Sequence, residues 1–134
     1  MQYLLDTNIC IYLFKGKYNI DKKIEKVGLQ NCAISEITYA ELIYGAEKSE
    51  HPKKNLTVIE NFTNQIVILP IFNAIQIFAK EKVKLRTKGK IISDFDLLIG
   101  ATAIANNMIM VTRNISEFKR MDNIKIENWI EQNQ

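Results

Sequence analysis

The chain has 134 residues, of which 47% are hydrophobic and 25% charged. That composition excludes a disordered chain and leaves room for a single domain, residues 1–134, with a continuous core. The net charge of +3 is compatible with a nucleic-acid partner and does not demand one. Two cysteines, Cys10 and Cys32, match no metal or redox spacing and read as reduced thiols. Asp6 interrupts the N-terminus before an apolar leader can form. The most apolar stretch, Leu97 to Val111, is broken by Asn106-Asn107 and falls short of the ~20 residues of a membrane span. A cytoplasmic domain without a membrane role is the expectation.

Tyr3-Leu4-Leu5 is a short apolar run that stops at Asp6, as a strand buried on both faces would. Ile9 to Phe14 reads as a short, largely buried helix, and Asp21 to Val27 as an amphipathic one. Cys32-Ala33-Ile34 is a second buried strand. From Glu36 to about Lys48 the apolar spacing is helical, and the face of the next helix is Leu56, Ile59, Phe62 and Thr63. Ile66 to Leu69 is a third strand, closed by Pro70. Phe72 to Lys88 is a long helix with Ile75, Phe78, Ala79 and Val83 on its apolar face and Gly89 at its C-cap. Ser93 opens a helix to about Asn107 that is apolar almost all round and so belongs in the core. Met108 to Val111 is a fourth strand and Ile124 to Ile126 an edge strand, with Trp129 and Ile130 packing the tail. Strands alternating with helices predict an α/β fold with a mostly parallel sheet of four to five strands.

Acids gather at the ends of these elements. Asp6 follows the first strand, Glu41 lies one turn into the helix after the second, Asp94 and Asp96 open the buried helix, and Glu117 follows the fourth strand. Right-handed crossovers put the carboxyl ends of parallel strands along one edge, where ligands bind. Asp6, Glu41 and Glu117 can therefore converge. Asp94 and Asp96 join them only if their helix starts at that edge. Each acid also has a plainer reading as a helix cap: Asp6 itself, Thr38-x-x-Glu41, Ser93-x-x-Asp96 and Asn114-x-x-Glu117. Carboxylates held together repel, and take up protons or share a cation. With no cysteine or histidine in the set, the donors are hard oxygens suited to Mg²⁺, with Mn²⁺ as a substitute. Such sites serve phosphoryl chemistry, the metal activating water for in-line attack. Gly45, inside a helix and one turn from Glu41, suggests close approach by another group.

Four segments occur in register: Leu4-Leu5-Asp6-Thr7-Asn8, Ile37 to Ala46 around Glu41, Asp96-Leu97-Leu98-Ile99-Gly100-Ala101, and Val111-Thr112-Arg113-Asn114 through Glu117-Phe118. Together they resemble the PIN-domain ribonuclease toxins of bacterial VapBC toxin–antitoxin modules, almost end to end. The resemblance implies a three-layer α/β/α PIN fold and endonucleolytic cleavage of RNA. It implies Asp6, Glu41 and Asp96 as ligands of Mg²⁺ or Mn²⁺, with Thr7 and Asn8 supporting the first acid. It further implies a small VapB-like antitoxin, a homodimer, and higher assembly with the antitoxin. Many relatives have Asp where this chain has Asn114. The fourth position then lies among Glu117, Asn114 and Asp94. Glu117 carries full charge and long reach, so Glu117→Gln is expected to cost most, Asn114→Ala least, and Asp94→Asn an intermediate amount.

Cations crowd Lys80 to Lys90, either as an RNA-backbone contact or as a solvated helix face. Arg86, Arg113, Lys119 and Arg120 are the better RNA-binding candidates, because Arg113 leaves the fourth strand and Lys119-Arg120 follow Glu117. Apolar Ile9 to Phe14 offers a groove for a partner helix. Two other chemistries fit less well. A phospho-acceptor domain wants adjacent acids at the first site, and an Asp-x-Asp phosphatase wants a second Asp where Asn8 stands. A binding module that kept the fold without catalysis has no need of the four acids.

Overall fold

The computed structural model describes residues 2–130. Five strands form one sheet: β1 (Tyr3–Leu5), β2 (Cys32–Ser35), β3 (Val67–Leu69), β4 (Ile109–Val111) and β5 (Lys125–Glu127), in the order β3-β2-β1-β4-β5. Every pairing is parallel, so the sheet is wholly rather than mostly parallel. The helices are α1 (Thr7–Phe14), α2 (Ile20–Val27), α3 (Glu36–Glu47), α4 (Pro52–Thr63), α5 (Ile75–Thr87), α6 (Asp94–Ala105) and α7 (Ile115–Phe118).

Side chains alternate across a strand, and the two cores divide accordingly. Leu5, Cys32, Ile34 and Val111 face one layer, with Ile9 and Cys10 of α1, Ile20 and Ile24 of α2, Leu42 of α3, and Ile59 and Phe62 of α4. Leu4, Ala33 and Met110 face the other, with Leu85 of α5, Leu97, Ile99, Ala101 and Ala103 of α6, and Phe118 of α7. The chain first steps from β1 to β3 in one direction and then returns past β1 to β4 and β5. Right-handed crossovers in opposite directions lie on opposite faces, which gives the α/β/α layering. The strand order reverses between β1 and β4, the kind of switch point that opens a crevice at the carboxyl edge. Because α6 leads into β4, it runs antiparallel to the strands, and its first residues sit at that same edge. Trp129 is buried against Tyr3, with ring centroids 5.2 Å apart, and Cys10 and Cys32 are buried free thiols.

Two expectations fail. The segment expected as one helix from Phe72 begins as a 3₁₀ turn at Phe72–Ala74 before α5. Its inward face is also not Ile75, Ala79 and Val83, since Ile75 is 45% and Val83 67% exposed. The buried stripe runs through Ala74, Ile77, Phe78, Glu81 and Leu85. Glu81 disguised it. This buried carboxylate accepts hydrogen bonds from Lys84 Nζ at 2.8 Å and from the Asp122 amide at 2.9 Å. Lys84 is thereby drawn into a pin between α5 and the turn before β5, rather than lying on a solvated stripe.

Gly45 also differs from expectation, because a Cβ built there meets no atom within 4 Å. At Gly100, by contrast, a Cβ would stand 2.5 Å from Met121 Sδ and 3.3 Å from Phe118 Cδ1. Gly45→Ala is expected to raise the stability of the isolated chain by about 0.5–1 kcal/mol, the helix-propensity gain. Gly100→Ala should lower it by about 1–3 kcal/mol through overpacking. Urea denaturation of the two variants checks both signs.

Candidate active site

Register decides what meets at the switch point. Leu5 pairs with Val111, so the next residues, Asp6 and Thr112, leave the sheet side by side. Asp6 is only 6% exposed. Its Oδ1 accepts from the Thr7 amide and its Oδ2 from the Thr112 hydroxyl, both at 2.8 Å. Asp6 is thus both the N-cap residue of α1 and a member of the acidic cluster, and the two sequence readings coexist. The Thr112 hydroxyl oxygen in turn accepts from the Asn114 amide at 3.0 Å.

Thr7 links the second acid to the first. Its hydroxyl donates to Glu41 Oε1 at 2.6 Å and lies 3.1 Å from the buried Thr38 hydroxyl. The cap of α3 is Ser35, whose Oγ accepts from the Ile37 amide at 3.1 Å. The Thr38-x-x-Glu41 capping box does not form, and Glu41 is left for the crevice. Ser93 does cap α6, accepting from the Asp96 amide at 3.3 Å. Asp96 is half-buried and feels the charges of Asp6 and Glu117. Asn114 donates its amide to Glu117 Oε2 at 2.9 Å, so the third candidate box becomes a side-chain pair that orients Glu117.

The structure thus brings Asp6, Glu41, Asp96 and Glu117 to one crevice, with Thr7 and Asn114 holding two of them. Asp94 does not join. It forms an exposed ion pair with Lys82 at 2.9 Å, as the ~200° of rotation between positions two apart on a helix dictates. Asn8 is exposed in the first turn of α1 and hydrogen-bonds none of the acids among the described residues. Arg86 lies on α5 beside Lys82 and lines a cleft with Ile91 and Asp94. Arg120 donates to the Ile91 carbonyl at 3.4 Å, and Lys119 is exposed. Arg113 adjoins the crevice and donates to the Tyr12 hydroxyl at 2.8 Å. Sequence reasoning passed over Thr112 and Thr38, both fully buried. For Thr112 the signal was available, since it ends the strand that pairs with β1.

The acids perturb one another. Burial raises the Asp6 carboxyl above its usual range, and Glu41 and Glu117 add to the shift against the hydrogen bonds of Thr112 and Thr7. Burial first, then Asp6 and Glu117, push Asp96 up to about 6. Among the described residues none of the four carboxylates is in an ion pair, and no three acids yet stand close enough to clasp one ion. An all-oxygen set that repels itself and lacks a neutralising side chain fits a hard divalent cation.

The model of the PIN domain matches residues 3–124. The chain is a PIN domain of the VapC family. Ribonuclease VapC2 of Haemophilus influenzae is 40% identical over 97% of this chain and 99% of its own length. The tRNA(fMet)-specific endonuclease VapC of Shigella flexneri is 35% identical over 96% and 98%. Among solved structures, VapBC2 of Rickettsia felis bound to a promoter DNA fragment superposes with a TM-score of 0.90, at 38% identity over 96% of this PIN domain and 99% of that chain.

A carboxyl group whose pKa is raised on folding stabilises the fold fully below its unfolded value of 3.8, and that contribution is lost as pH rises through about 6. In chelator, the melting temperature of this PIN domain should therefore fall as pH rises from about 4 to about 6. Asp96→Asn should flatten the profile. A wild-type profile already flat across that window would show that the carboxylates are not crowded.

Proposed function

We propose that the chain is a metal-dependent endoribonuclease, the toxin of a VapBC-type pair. The single observation that carries this reading is the convergence of Asp6, Glu41, Asp96 and Glu117 at the β1/β4 switch point, with none of the four in an ion pair among the described residues. The names of the relatives support it, one a ribonuclease and one a tRNA(fMet)-specific endonuclease. Asp6, Glu41, Asp96 and Glu117 would hold Mg²⁺, or Mn²⁺ in its place. Bound there, the ion supplies an activated water and neutralises charge on the leaving oxygen of the phosphodiester. The chain's part is to fix the acids. Thr112 and the Thr7 amide lock Asp6, Thr7 turns Glu41, Ser93 starts the helix that carries Asp96, and Asn114 holds Glu117.

Asp6→Asn, Glu41→Gln and Asp96→Asn should each abolish cleavage of tRNA(fMet) and of total RNA while the protein stays folded. Glu117→Gln should lose more activity than Asn114→Ala. With its carboxylate paired to Lys82, Asp94→Asn should now stay near wild type. Mg²⁺ at about 100 times its dissociation constant should stabilise the wild type by about 2.7 kcal/mol and the Asp6→Asn protein far less. Full activity in a nuclease-free preparation of Asp6→Asn would sink the enzyme reading.

The partner we propose is a small VapB-like antitoxin, as in the neighbouring VapBC complexes. Ile9 and Cys10 are core residues and give the partner nothing. The groove is built instead from Ile11, Phe14, Leu42, Gly45, Val58 and Ile59, with Lys15, Lys54 and Asn55 also lining it, about 380 Å³ in volume. A bare Gly45 facing open space suits an apolar helix laid across it. The exposed Ile75 and Val83 of α5 support pairing with a second copy of the chain. Among the described residues no helix is long and apolar enough to cross a membrane, and a cytoplasmic site of action follows from the RNA reading. Production of the chain alone should arrest growth, and co-production of the antitoxin should restore it. Gly45→Ala should weaken the co-purified complex while leaving RNA cleavage intact. Unimpaired growth with soluble chain present would remove the toxin role.

A further inference from the structure

Beside the crevice stands a second cluster that the acids do not use. Arg113 follows Thr112, the hydrogen-bond partner of Asp6, and precedes Asn114, the partner of Glu117. Its guanidinium donates to the Tyr12 hydroxyl and lies 5.9 Å from the ring centroids of both Tyr12 and Tyr18. The two rings meet edge to face, with centroids 4.9 Å apart and planes at 79°. Tyr12 is half-buried and packs against the core, which fixes its ring, whereas Arg113 is exposed and Tyr18 is 38% exposed, so packing does not account for the outer part of the group. The backbone does not relax it either. Tyr18 and Asn19 have φ of 60° and 56°, left-handed conformations that an aromatic residue seldom adopts. The turn is held by the Lys17 amide, which donates to the Tyr12 carbonyl at 2.9 Å.

We propose that Tyr12, Tyr18 and Arg113 form a platform on which one unpaired nucleobase of the RNA substrate stacks, next to the phosphate to be cut. The inference rests on the ribonuclease reading and adds the substrate contact. Fixed aromatic faces beside an arginine plane are what single-stranded RNA uses for recognition, since every base has a π face. Arg113 spends one N–H on Tyr12 and keeps the others for a phosphate or a base edge. Its position in the chain, between the residues that hold Asp6 and Glu117, sets the stacked base a fixed distance from the acids. The platform therefore selects an unstacked nucleotide and a cleavage register. An acidic peptide is the less suited occupant. It would pair with the cation but has no use for two oriented rings.

The test compares wild type, Tyr18→Ala, Tyr18→Trp and Tyr12→Phe. Binding of a short fluorescein-labelled single-stranded RNA is measured in the Asp6→Asn background, and kcat and KM in the parent. Tyr18→Ala should bind about tenfold more weakly and raise KM by the same factor, with kcat retained, the scale of one lost base stack. Tyr18→Trp should keep wild-type values, because it restores the face. Tyr12→Phe keeps both rings and should change KM less than Tyr18→Ala. An abasic ribose at one position of the RNA should weaken wild-type binding and leave Tyr18→Ala unaffected. Equal RNA affinity of wild type and Tyr18→Ala, both folded by circular dichroism, overturns the platform. So does a Tyr18→Ala protein that keeps its RNA affinity and loses the co-produced antitoxin, which would make the cluster a protein contact. If RNA binds in a Tyr18-dependent way and is not cut, the platform stands and the ribonuclease reading falls. If RNA is cut and Tyr18→Ala has the wild-type KM, the reverse holds. A wild type that neither binds nor cuts RNA removes both.

Discussion

A carboxylate buried between two parallel strands sets the terms for the rest of this molecule. Asp6 sits where the sheet changes direction, and its desolvation is offset only by the Thr7 amide and the Thr112 hydroxyl. Neither carries charge. A buried anion with two neutral donors still favours a cation nearby. The chain brings up three more acids instead, and burial followed by repulsion from Asp6 and Glu117 raises Asp96 as well. This arrangement lowers the stability of the fold to keep an electrostatic demand at one place, a trade expected of functional sites.

Much of this was legible in the sequence, because the logic of a parallel sheet is strict. Apolar runs that end in Asp6, Ser35 and Thr112 mark strand ends, and right-handed crossovers force those ends to one edge. Asp6, Glu41 and Glu117 could be selected on that basis, and Asp96 only through the family resemblance. The direction of α6 could not be read from periodicity, and only the structure put Asp96 at the crevice and turned Asp94 outward. The face of α5 was misassigned because a charged residue, Glu81, occupies the buried stripe while Val83 is exposed. Periodicity counts apolar residues and does not register that the Asp122 amide satisfies a carboxylate forty-one residues away. The Tyr18 platform was invisible for a similar reason. It depends on a left-handed turn and on a contact between residues that lie 101 positions apart.

The two helical layers carry different tasks. The α1, α3 and α4 side keeps half-buried apolar residues around a groove with a bare glycine. On the α5, α6 and α7 side a methyl group at Gly100 would stand 2.5 Å from Met121 Sδ, so the methionine would have to shift to admit it. Asp96 and Glu117 both come from this tight layer, so their spacing is held by rigid packing, whereas Glu41 comes from a helix that borders the groove. A partner in that groove would lie against the helix that carries Glu41, and thus has a short physical route to the crevice.

The bond between Thr112 and Asp6 spans 106 positions of sequence. During synthesis, β1 emerges first but cannot complete its central pairing until β4 follows. Parallel pairing at such separation is slow, because loop closure precedes any reward from contacts. The acidic crevice therefore forms only after β4 and Thr112 have been made, and shorter nascent chains lack its second wall. The topology itself thus delays any chemistry of the crevice until the segment that carries Thr112 and Glu117 exists.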